Sequence, residues 1–167
     1  MTPWMRVLLI AGTWVVFHIG SGFVTHHMPR QFFDRERWLF RTRAIEAEGR
    51  IYRRLLRIHR WKDLLPEAGA TFAGGFTKRS LPSGLSANDT GEYIQRFIAE
   101  TRRAELTHWL PILLSATFFI WNPPEIAGWM PVYAAVTNLP FICVQRSNRP
   151  RLQRLAETGQ SRRAAAS

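Results

Sequence analysis

Three long apolar stretches constrain this chain of 167 residues more than any other feature of its sequence. They run from Val7 to Val24, from about Leu106 to Trp121 and from Trp129 to Val144, and they carry almost no charge. A membrane-spanning helix needs about 20 predominantly apolar residues, so each stretch approaches that length and the last two are short for it. The pattern therefore predicts an all-α integral membrane fold with about three transmembrane helices, at about residues 5–24, 105–122 and 128–145.

The distribution of basic residues predicts how these helices are oriented. One basic residue precedes or lies within the first stretch, 16 lie between Thr25 and Glu105, none lies in the loop Asn122–Gly128, and six follow Val144. Basic segments favour the cytoplasmic side of a membrane. We therefore expect a single multi-pass domain over residues 1–167 in the cell (inner) membrane, with a cytoplasmic interfacial segment at 25–104 and a basic C-terminal tail at 146–167.

The net charge of +11 predicts an anionic partner. Nucleic acid would suit that charge, but a hydrophobic content of 46% with 7 Trp and 11 Phe favours a membrane protein. Aromatic and aliphatic residues alternate with arginines from Phe32 to Arg60, which is typical of basic amphipathic helices lying among lipid headgroups. We therefore predict anionic membrane lipids as partners, and no nucleic acid.

Two further segments carry predictions about local structure. The stretch Leu65–Gly91 is rich in Pro, Gly, Ser and Ala, which indicates an irregular loop, and a capping pair at Asp89 and Glu92 predicts a helix that starts near Thr90. The first apolar stretch has a signal peptide as its alternative interpretation. Its apolar run is longer than the usual ~7 to 15 residues, and cleavage would send the 16 basic residues outward.

Glu105 and His108 are the strongest candidates for catalysis. They lie three residues apart and share one helix face at the edge of an apolar stretch, where ionisable groups are costly and usually functional. If the second and third spans form a hairpin, the sequence Gln145-Arg-Ser-Asn-Arg-Pro-Arg151 reaches the same membrane face. A histidine beside a carboxylate and surrounded by guanidinium groups can act as a general base toward an anionic or thioester substrate.

The Glu-x-x-His spacing is also one half of a di-iron carboxylate site. That chemistry requires a second such half-site and further glutamates facing it, and the spans contain none. We therefore predict no catalytic metal.

Three blocks of sequence resemble a known family. They are Arg60-Trp-Lys62, Glu100-Thr-Arg-Arg-Ala-Glu-Leu-Thr-His-Trp109, and Asn138-Leu-Pro140 followed by Val144-Gln-Arg-Ser-Asn-Arg-Pro-Arg-Leu152. In these blocks the chain resembles the glycosyl-diaponeurosporenoate acyltransferases of carotenoid biosynthesis, over roughly Phe32 to Leu155. The resemblance implies a small integral membrane enzyme that esterifies a fatty acyl group onto the sugar of a glycosylated carotenoid or related glycolipid.

Chemical roles follow from the residue types at these positions. We expect His108 to remove the proton from an acceptor hydroxyl as it attacks an acyl thioester, and Glu105 to hold the imidazole tautomer. The oxyanion needs donors, which we predict to be Arg103, Arg146 and Asn148. Guanidinium and ammonium groups at Arg149, Arg151 and Lys62 suit the phosphates of a CoA-type donor. The full predicted substrate-binding set is Trp61, Lys62, Arg102, Arg103, Asn138, Gln145, Arg146, Asn148, Arg149 and Arg151.

The acyl donor, an acyl-CoA or an acyl carrier protein, is a substrate in this scheme, so no cofactor is predicted. The alternative function is a non-enzymatic membrane module that binds anionic lipid or scaffolds a lipid-processing complex. Under that alternative, Glu105 and His108 only pair with neighbouring arginines, and the arginines after Val144 only mark the cytoplasmic end of a span. Three short spans leave helix surface exposed, which favours a homo-oligomer in either case.

Overall fold

The computed structural model describes residues 2–65 and 87–165. Within these two ranges the chain forms α-helices and 3-10 helices and no β-strand, which confirms the predicted all-α class. Most of the predicted loop Leu65–Gly91, residues 66–86, lies outside the described residues. The helix predicted to start near Thr90 is present and begins at Ala87.

The first helix, α1, spans Pro3–His27. The Thr2 side chain accepts a hydrogen bond from the Met5 amide, and Pro3 occupies the first turn, so the start is capped as helix chemistry requires. Many of its large apolar side chains are exposed, whereas a core helix of a soluble protein would bury them. Both α1 and the helical stretch Pro124–Gly159 are long and apolar enough to cross a bilayer, which is typical of membrane association.

The predicted second span, residues 105–122, differs from a continuous α-helix. Helix α4 spans Ala87–Leu114, and the chain then continues as a 3-10 helix over Ser115–Ile120. The Ser115 hydroxyl donates to the Ile112 carbonyl and the Thr117 hydroxyl to the Leu114 carbonyl, each three residues back, where the helix tightens. Of the three predicted spans, two therefore lie on helices that meet the length and composition of a membrane span, and the second does not.

The remaining elements are short apart from the last helix. The short α-helices are α2 (Gln31–Asp34), α3 (Arg50–Arg54) and α5 (Pro124–Ala127), and the long one is α6 (Trp129–Ala164). Three 3-10 helices occupy Ala44–Gly49, Ile58–Arg60 and Lys62–Leu64.

Contacts divide the chain into two compact units, where the sequence predicted a single domain. The first unit comprises Met1–Met28 and Ala104–Ile142. Its core is aromatic, because the centroid of the Trp14 ring lies 5.1 Å from that of Phe118 and 4.7 Å from that of Tyr133. Ala127 and Ala134 are fully buried against these rings, and their small side chains leave room for the aromatic ones.

The second unit comprises Pro29–Arg103 and Cys143–Ser167. Phe33 and Phe40 are completely buried in it, with ring centroids 6.2 Å apart. Ile58, Ile98 and Val144 are also buried, so the segment before α4, α4 itself and α6 each contribute apolar side chains to the unit.

A left-handed turn ends the first 3-10 helix of the second unit. Three consecutive residues have positive φ, at 46° for Ala47, 56° for Glu48 and 79° for Gly49. A side chain at Gly49 would also meet the backbone of Ser147, because a Cβ atom there would lie 3.1 Å from the Ser147 carbonyl oxygen. Glycine is therefore needed at this position both for its conformation and for space.

We expect Gly49→Ala to lower the free energy of unfolding by about 1–3 kcal/mol, because it adds left-handed strain and a close contact with Ser147. Thermal unfolding of the purified protein measures the change. Gly159→Ala is the matched control, since a Cβ atom at Gly159 in α6 meets nothing within 4 Å. Equal stability of the two variants would contradict this account of the turn.

Candidate active site

His108 and Asn138 form the central pair of the first unit. His108 lies on α4 and Asn138 on α6, and the distance between His108 Nδ1 and Asn138 Oδ1 is 2.9 Å. The amide nitrogen of Asn138 donates to the Ala134 carbonyl oxygen at 2.9 Å and to the Thr137 hydroxyl at 3.1 Å. These bonds orient the amide so that its oxygen faces the imidazole.

The orientation of Asn138 determines the tautomer of His108. An amide oxygen can only accept, so Nδ1 of the imidazole must carry a hydrogen and donate it. In the neutral ring, Nε2 then has a free lone pair, which is the state that a general base requires. The Phe141 ring stacks on the imidazole at 4.4 Å with an interplanar angle of 13°, and this contact further restricts the ring.

Glu105 occupies a different place from the predicted one. Its side chain is fully buried, and Trp109 Nε1 donates to its carboxylate at 3.3 Å. The sequence predicts that Glu105 holds the imidazole tautomer, but His108 Nδ1 donates its hydrogen bond to Oδ1 of Asn138, a residue that the sequence assigns to substrate binding. The reason is geometric, because a side chain on α6 faces the imidazole across the unit, whereas Glu105 lies one turn below His108 on its own helix.

A polar stripe on α1 approaches the same part of α4. The hydroxyls of Thr25 and Thr107 are 2.6 Å apart, and His18 lies two turns before Thr25 on α1. Ser21 lies between His18 and Thr25 on α1, and its buried hydroxyl has no hydrogen-bond partner among the residues described. The sequence analysis missed Ser21, Thr25 and Thr107, although polar residues at 18, 21 and 25 follow the spacing of one helix face.

Arg102 and Arg103 belong to the second unit and have protein partners there. The buried Arg102 guanidinium donates to the carbonyl oxygens of Phe33 at 2.7 Å and Asp34 at 3.0 Å. Arg103 forms an ion pair with Glu100 at 2.8 Å, and its guanidinium lies 5.1 Å from the centre of the Phe33 ring. Contact of either arginine with substrate stays a prediction.

Arg146 and Arg149 on α6 are also bound to protein groups. Arg146 pairs with the buried Glu46 and donates to the Leu39 carbonyl at 2.7 Å. Arg149 is 1% exposed, and it donates to the Phe40 carbonyl at 2.7 Å and to the Thr101 hydroxyl at 3.1 Å. These guanidinium groups therefore satisfy buried oxygens of the protein. Contact of either group with substrate stays a prediction.

Tyr52 lies beside the ion pair of Arg146 and Glu46. Burial, reinforced by the negative charge of Glu46, raises the pKa of Tyr52 to about 12. The phenol is therefore protonated at physiological pH and does not act as a base.

The other predicted substrate-binding residues remain more accessible. Trp61 is half-buried, and its indole nitrogen donates to the Leu56 carbonyl at 2.8 Å. The side chains of Lys62, Gln145 and Asn148 are also half-buried, and Arg151 is exposed. All five keep their predicted roles as hypotheses.

Among the described residues, no group of three or more His, Cys, Asp or Glu side chains could hold a metal ion. The imidazole of His108, oriented by Asn138 and stacked on Phe141, has the geometry that proton transfer requires.

Comparison with known proteins identifies the family of the chain. Residues 35–158 match the family model described as glycosyl-4,4'-diaponeurosporenoate acyltransferase. The chain belongs to this family. The match begins and ends close to the predicted range Phe32 to Leu155, and it contains all the predicted site residues.

Curated relatives of this acyltransferase bear the same name as the family. One from Staphylococcus haemolyticus (strain JCSC1435) is 32% identical over 146 residues, which cover 87% of this chain and 82% of the relative. Two from Staphylococcus aureus (strains bovine RF122 / ET3-1 and MRSA252) are 28% identical over 144 residues, which cover 85% of this chain and 82% of each relative. No solved structure matches the chain significantly. Family membership confirms the prediction that the protein is an enzyme of the acyltransferase class.

The role of Arg149 in this acyltransferase can be tested by a charge-retaining substitution. We expect Arg149→Lys to lower the free energy of unfolding by about 1–3 kcal/mol, because an ammonium group cannot serve the Phe40 carbonyl and the Thr101 side chain together. Thermal unfolding measures the loss, and Arg151→Lys, at an exposed position, is the control. Unchanged stability with a raised KM for the acyl donor would instead support the predicted substrate contact.

Proposed function

We propose that the protein transfers a fatty acyl group from a thioester donor to a sugar hydroxyl of a glycosylated carotenoid, with His108 as the general base. The names of the relatives supply the acceptor class, since each is called a glycosyl-4,4'-diaponeurosporenoate acyltransferase. The hydrogen bond between His108 Nδ1 and Asn138 Oδ1 is the observation that carries the proposed role of His108.

The proposed reaction is one acyl transfer. His108 Nε2 removes the proton of the acceptor hydroxyl while the hydroxyl oxygen attacks the thioester carbonyl carbon. The tetrahedral intermediate then collapses as the C–S bond breaks, and the imidazolium returns the proton to the departing thiolate. The products are an ester and a thiol, and the histidine is regenerated without a cofactor.

Asn138 and Glu105 support the histidine in different ways. Asn138 fixes the tautomer and the direction of the ring through Nδ1. In the proposed mechanism the buried Glu105 carboxylate, one turn away on α4, stabilises the positive charge that the imidazole acquires. Trp109 restrains that carboxylate by donating a hydrogen bond to it.

The proposed membrane placement extends the observation of two apolar helices. In this proposal α1 and the stretch Pro124–Gly159 cross the bilayer, and the end of α4 with the following 3-10 helix provides a third, shorter crossing. The basic second unit then faces the cytoplasm, in agreement with the positive-inside rule. A carotenoid acceptor is soluble in the hydrocarbon, so it can reach the spans laterally.

The proposed donor site uses the more accessible of the predicted residues. Lys62, Asn148 and Arg151 provide an ammonium, an amide and a guanidinium group with accessible side chains, which suit the phosphates of an acyl-CoA or of a carrier-protein prosthetic group. Arg102, Arg146 and Arg149 take a structural role in this scheme, because they donate to backbone carbonyls of the second unit.

Substitution of His108 tests the central claim. We expect His108→Ala to lower kcat about 100- to 10,000-fold, because the proton acceptor is lost. The measurement is mass spectrometry of the ester formed from a labelled acyl thioester and a glycosylated carotenoid by the protein in lipid nanodiscs. His59→Ala, at an exposed histidine of the second unit, is the control.

Near-normal turnover by folded His108→Ala protein would remove the general-base role. An absence of product from every variant and from the unaltered chain, with both donor classes tried, would favour the non-enzymatic membrane module.

Substitution of Asn138 separates positioning from packing. We expect Asn138→Leu to lower kcat about 10- to 100-fold, with little change in KM. Loss of the residue that orients a metal-bound histidine has an effect of this size, and Asn138 orients His108 in the same way. Asn138→Asp should retain more activity, because a carboxylate oxygen can still accept from Nδ1. Asn122→Leu is the control, since Asn122 is another buried asparagine of the first unit and also donates to a carbonyl four residues back.

Both Asn138 variants lose stability, because the Ala134 carbonyl loses its donor, so kcat is compared among folded fractions only. Equal kcat for Asn138→Leu and Asn138→Asp, or an equal loss in Asn122→Leu, would contradict the positioning role.

A further inference from the structure

A groove in the second unit is lined by residues that the proposed mechanism does not use. It has a volume of about 500 Å³, within the ~300–1,000 Å³ typical of small-ligand sites. Its lining consists of Ile45, Ala47, Arg50, Ile51, Arg54 and Leu55. We call it the α3 groove.

The α3 groove combines an apolar floor with two cations. Arg50 and Arg54 are four residues apart on α3, so their guanidinium groups share one side of the helix. Ile45 and Leu55 are 77% and 75% exposed and both line the groove, so they form one exposed apolar patch. Such a surface fits an amphiphile that has an anionic head and an apolar body.

An exposed tryptophan lies close to the groove along the chain. Trp38 is 78% exposed, and the Arg43 guanidinium lies 5.3 Å from the centre of the Trp38 ring. Arg43 is two residues before Ile45 in the sequence. A tryptophan beside an arginine is typical of protein segments at the membrane interface, where the ring sits at the headgroup level.

Contacts with α6 stabilise one wall of the groove. Glu46 pairs with Arg146 and Glu48 pairs with Arg154, one on each side of Ala47. Gly49 packs against the backbone of Ser147 on the same helix. These contacts stabilise the left-handed turn from Ala47 to Gly49, and Ala47 of this turn lines the groove. Backbone strain that surrounding contacts maintain in this way is typical of ligand sites.

We propose that the α3 groove binds an anionic phospholipid of the surrounding bilayer. Arg50 and Arg54 bind the lipid phosphate, and Ile45, Ile51 and Leu55 contact the glycerol and the first part of the acyl chains. Trp38 and Arg43 extend this contact across neighbouring headgroups. The groove thereby seats the second unit on an anionic membrane surface, and this proposal does not depend on the proposed acyl transfer.

The chemistry of the lining favours a phospholipid over the nucleotide part of an acyl donor. A nucleotide needs an aromatic or flat surface for its base and hydrogen-bonding groups for its ribose. The six lining residues include no aromatic ring, carboxylate or amide side chain. The two guanidinium groups can bind a phosphate, and the aliphatic side chains can contact a hydrocarbon chain.

Photo-crosslinking tests the proposal on the full chain. The protein is reconstituted in nanodiscs of phosphatidylcholine with an increasing fraction of phosphatidylglycerol, which carries a photoreactive group near its glycerol. Mass spectrometry then quantifies the label on residues 44–56. We expect saturable labelling there, and we expect Arg50→Gln with Arg54→Gln to raise the half-saturating fraction about tenfold or more, since each basic residue contributes roughly fivefold at an anionic surface.

Two matched variants complete the experiment. Arg41→Gln with Arg96→Gln removes the same charge from exposed positions outside the groove, and it should shift half-saturation much less. Arg50→Lys with Arg54→Lys keeps the charge, and it should retain most of the preference even if the glutamine pair destabilises the turn.

Three results would overturn the proposal. The first is equal labelling of the groove by photoreactive phosphatidylcholine, and the second is an equal shift in the control pair. The third is loss of the label when coenzyme A is added, while a chloride salt at the same ionic strength has no effect. That third result would assign the groove to the acyl donor.

Discussion

Buried guanidinium groups that donate to backbone carbonyls are the interaction on which the second unit depends. The segment Phe33–Glu46 has little regular structure, so its carbonyl oxygens need partners from elsewhere. Arg102 on α4 and Arg146 and Arg149 on α6 supply them. Removal of one such donor leaves a desolvated oxygen, which costs far more than an exposed ion pair contributes. Arg146 also pairs with Glu46, and Gly49 packs against the backbone of Ser147, so the turn that lines the α3 groove is tied to α6.

The arginines of this protein thus divide into two populations that look alike in the sequence. Arg102, Arg146 and Arg149 are buried and donate hydrogen bonds to oxygen atoms within the protein, whereas the arginines at 50, 54 and 151 are exposed. Net charge alone would assign all of them to an anionic partner. The exposed population remains available for lipid or donor phosphates, and the buried population explains why an arginine-rich segment with little regular secondary structure can still fold compactly.

In the first unit, Asn138 orients the imidazole of His108, a role that the sequence predicted for Glu105. Asn138 orients the imidazole of His108 because α6 places an amide oxygen opposite Nδ1. Glu105 lies below the histidine on its own helix and is restrained by Trp109. An amide partner fixes the tautomer without a charge, which costs less to bury than a carboxylate. In the proposed function, this oriented imidazole is the general base for acyl transfer, the reaction class named in the description of the family.

Hydrophobic runs and helix periodicity, which are local properties, determined much about this protein. They predicted the all-α class and the apolar helices at each end, and the order of three short motifs identified the family. Local patterns could not foresee that the predicted second span tightens into a 3-10 helix after Leu114, because hydroxyl groups of Ser115 and Thr117 compete for its carbonyls. Nor could they pair His108 with Asn138 or Arg149 with Phe40, which are 30 and 109 residues apart. Only the tertiary structure decided these pairs, because a hydrogen-bond partner is set by distance in space, and sequence periodicity records only neighbours on the same helix.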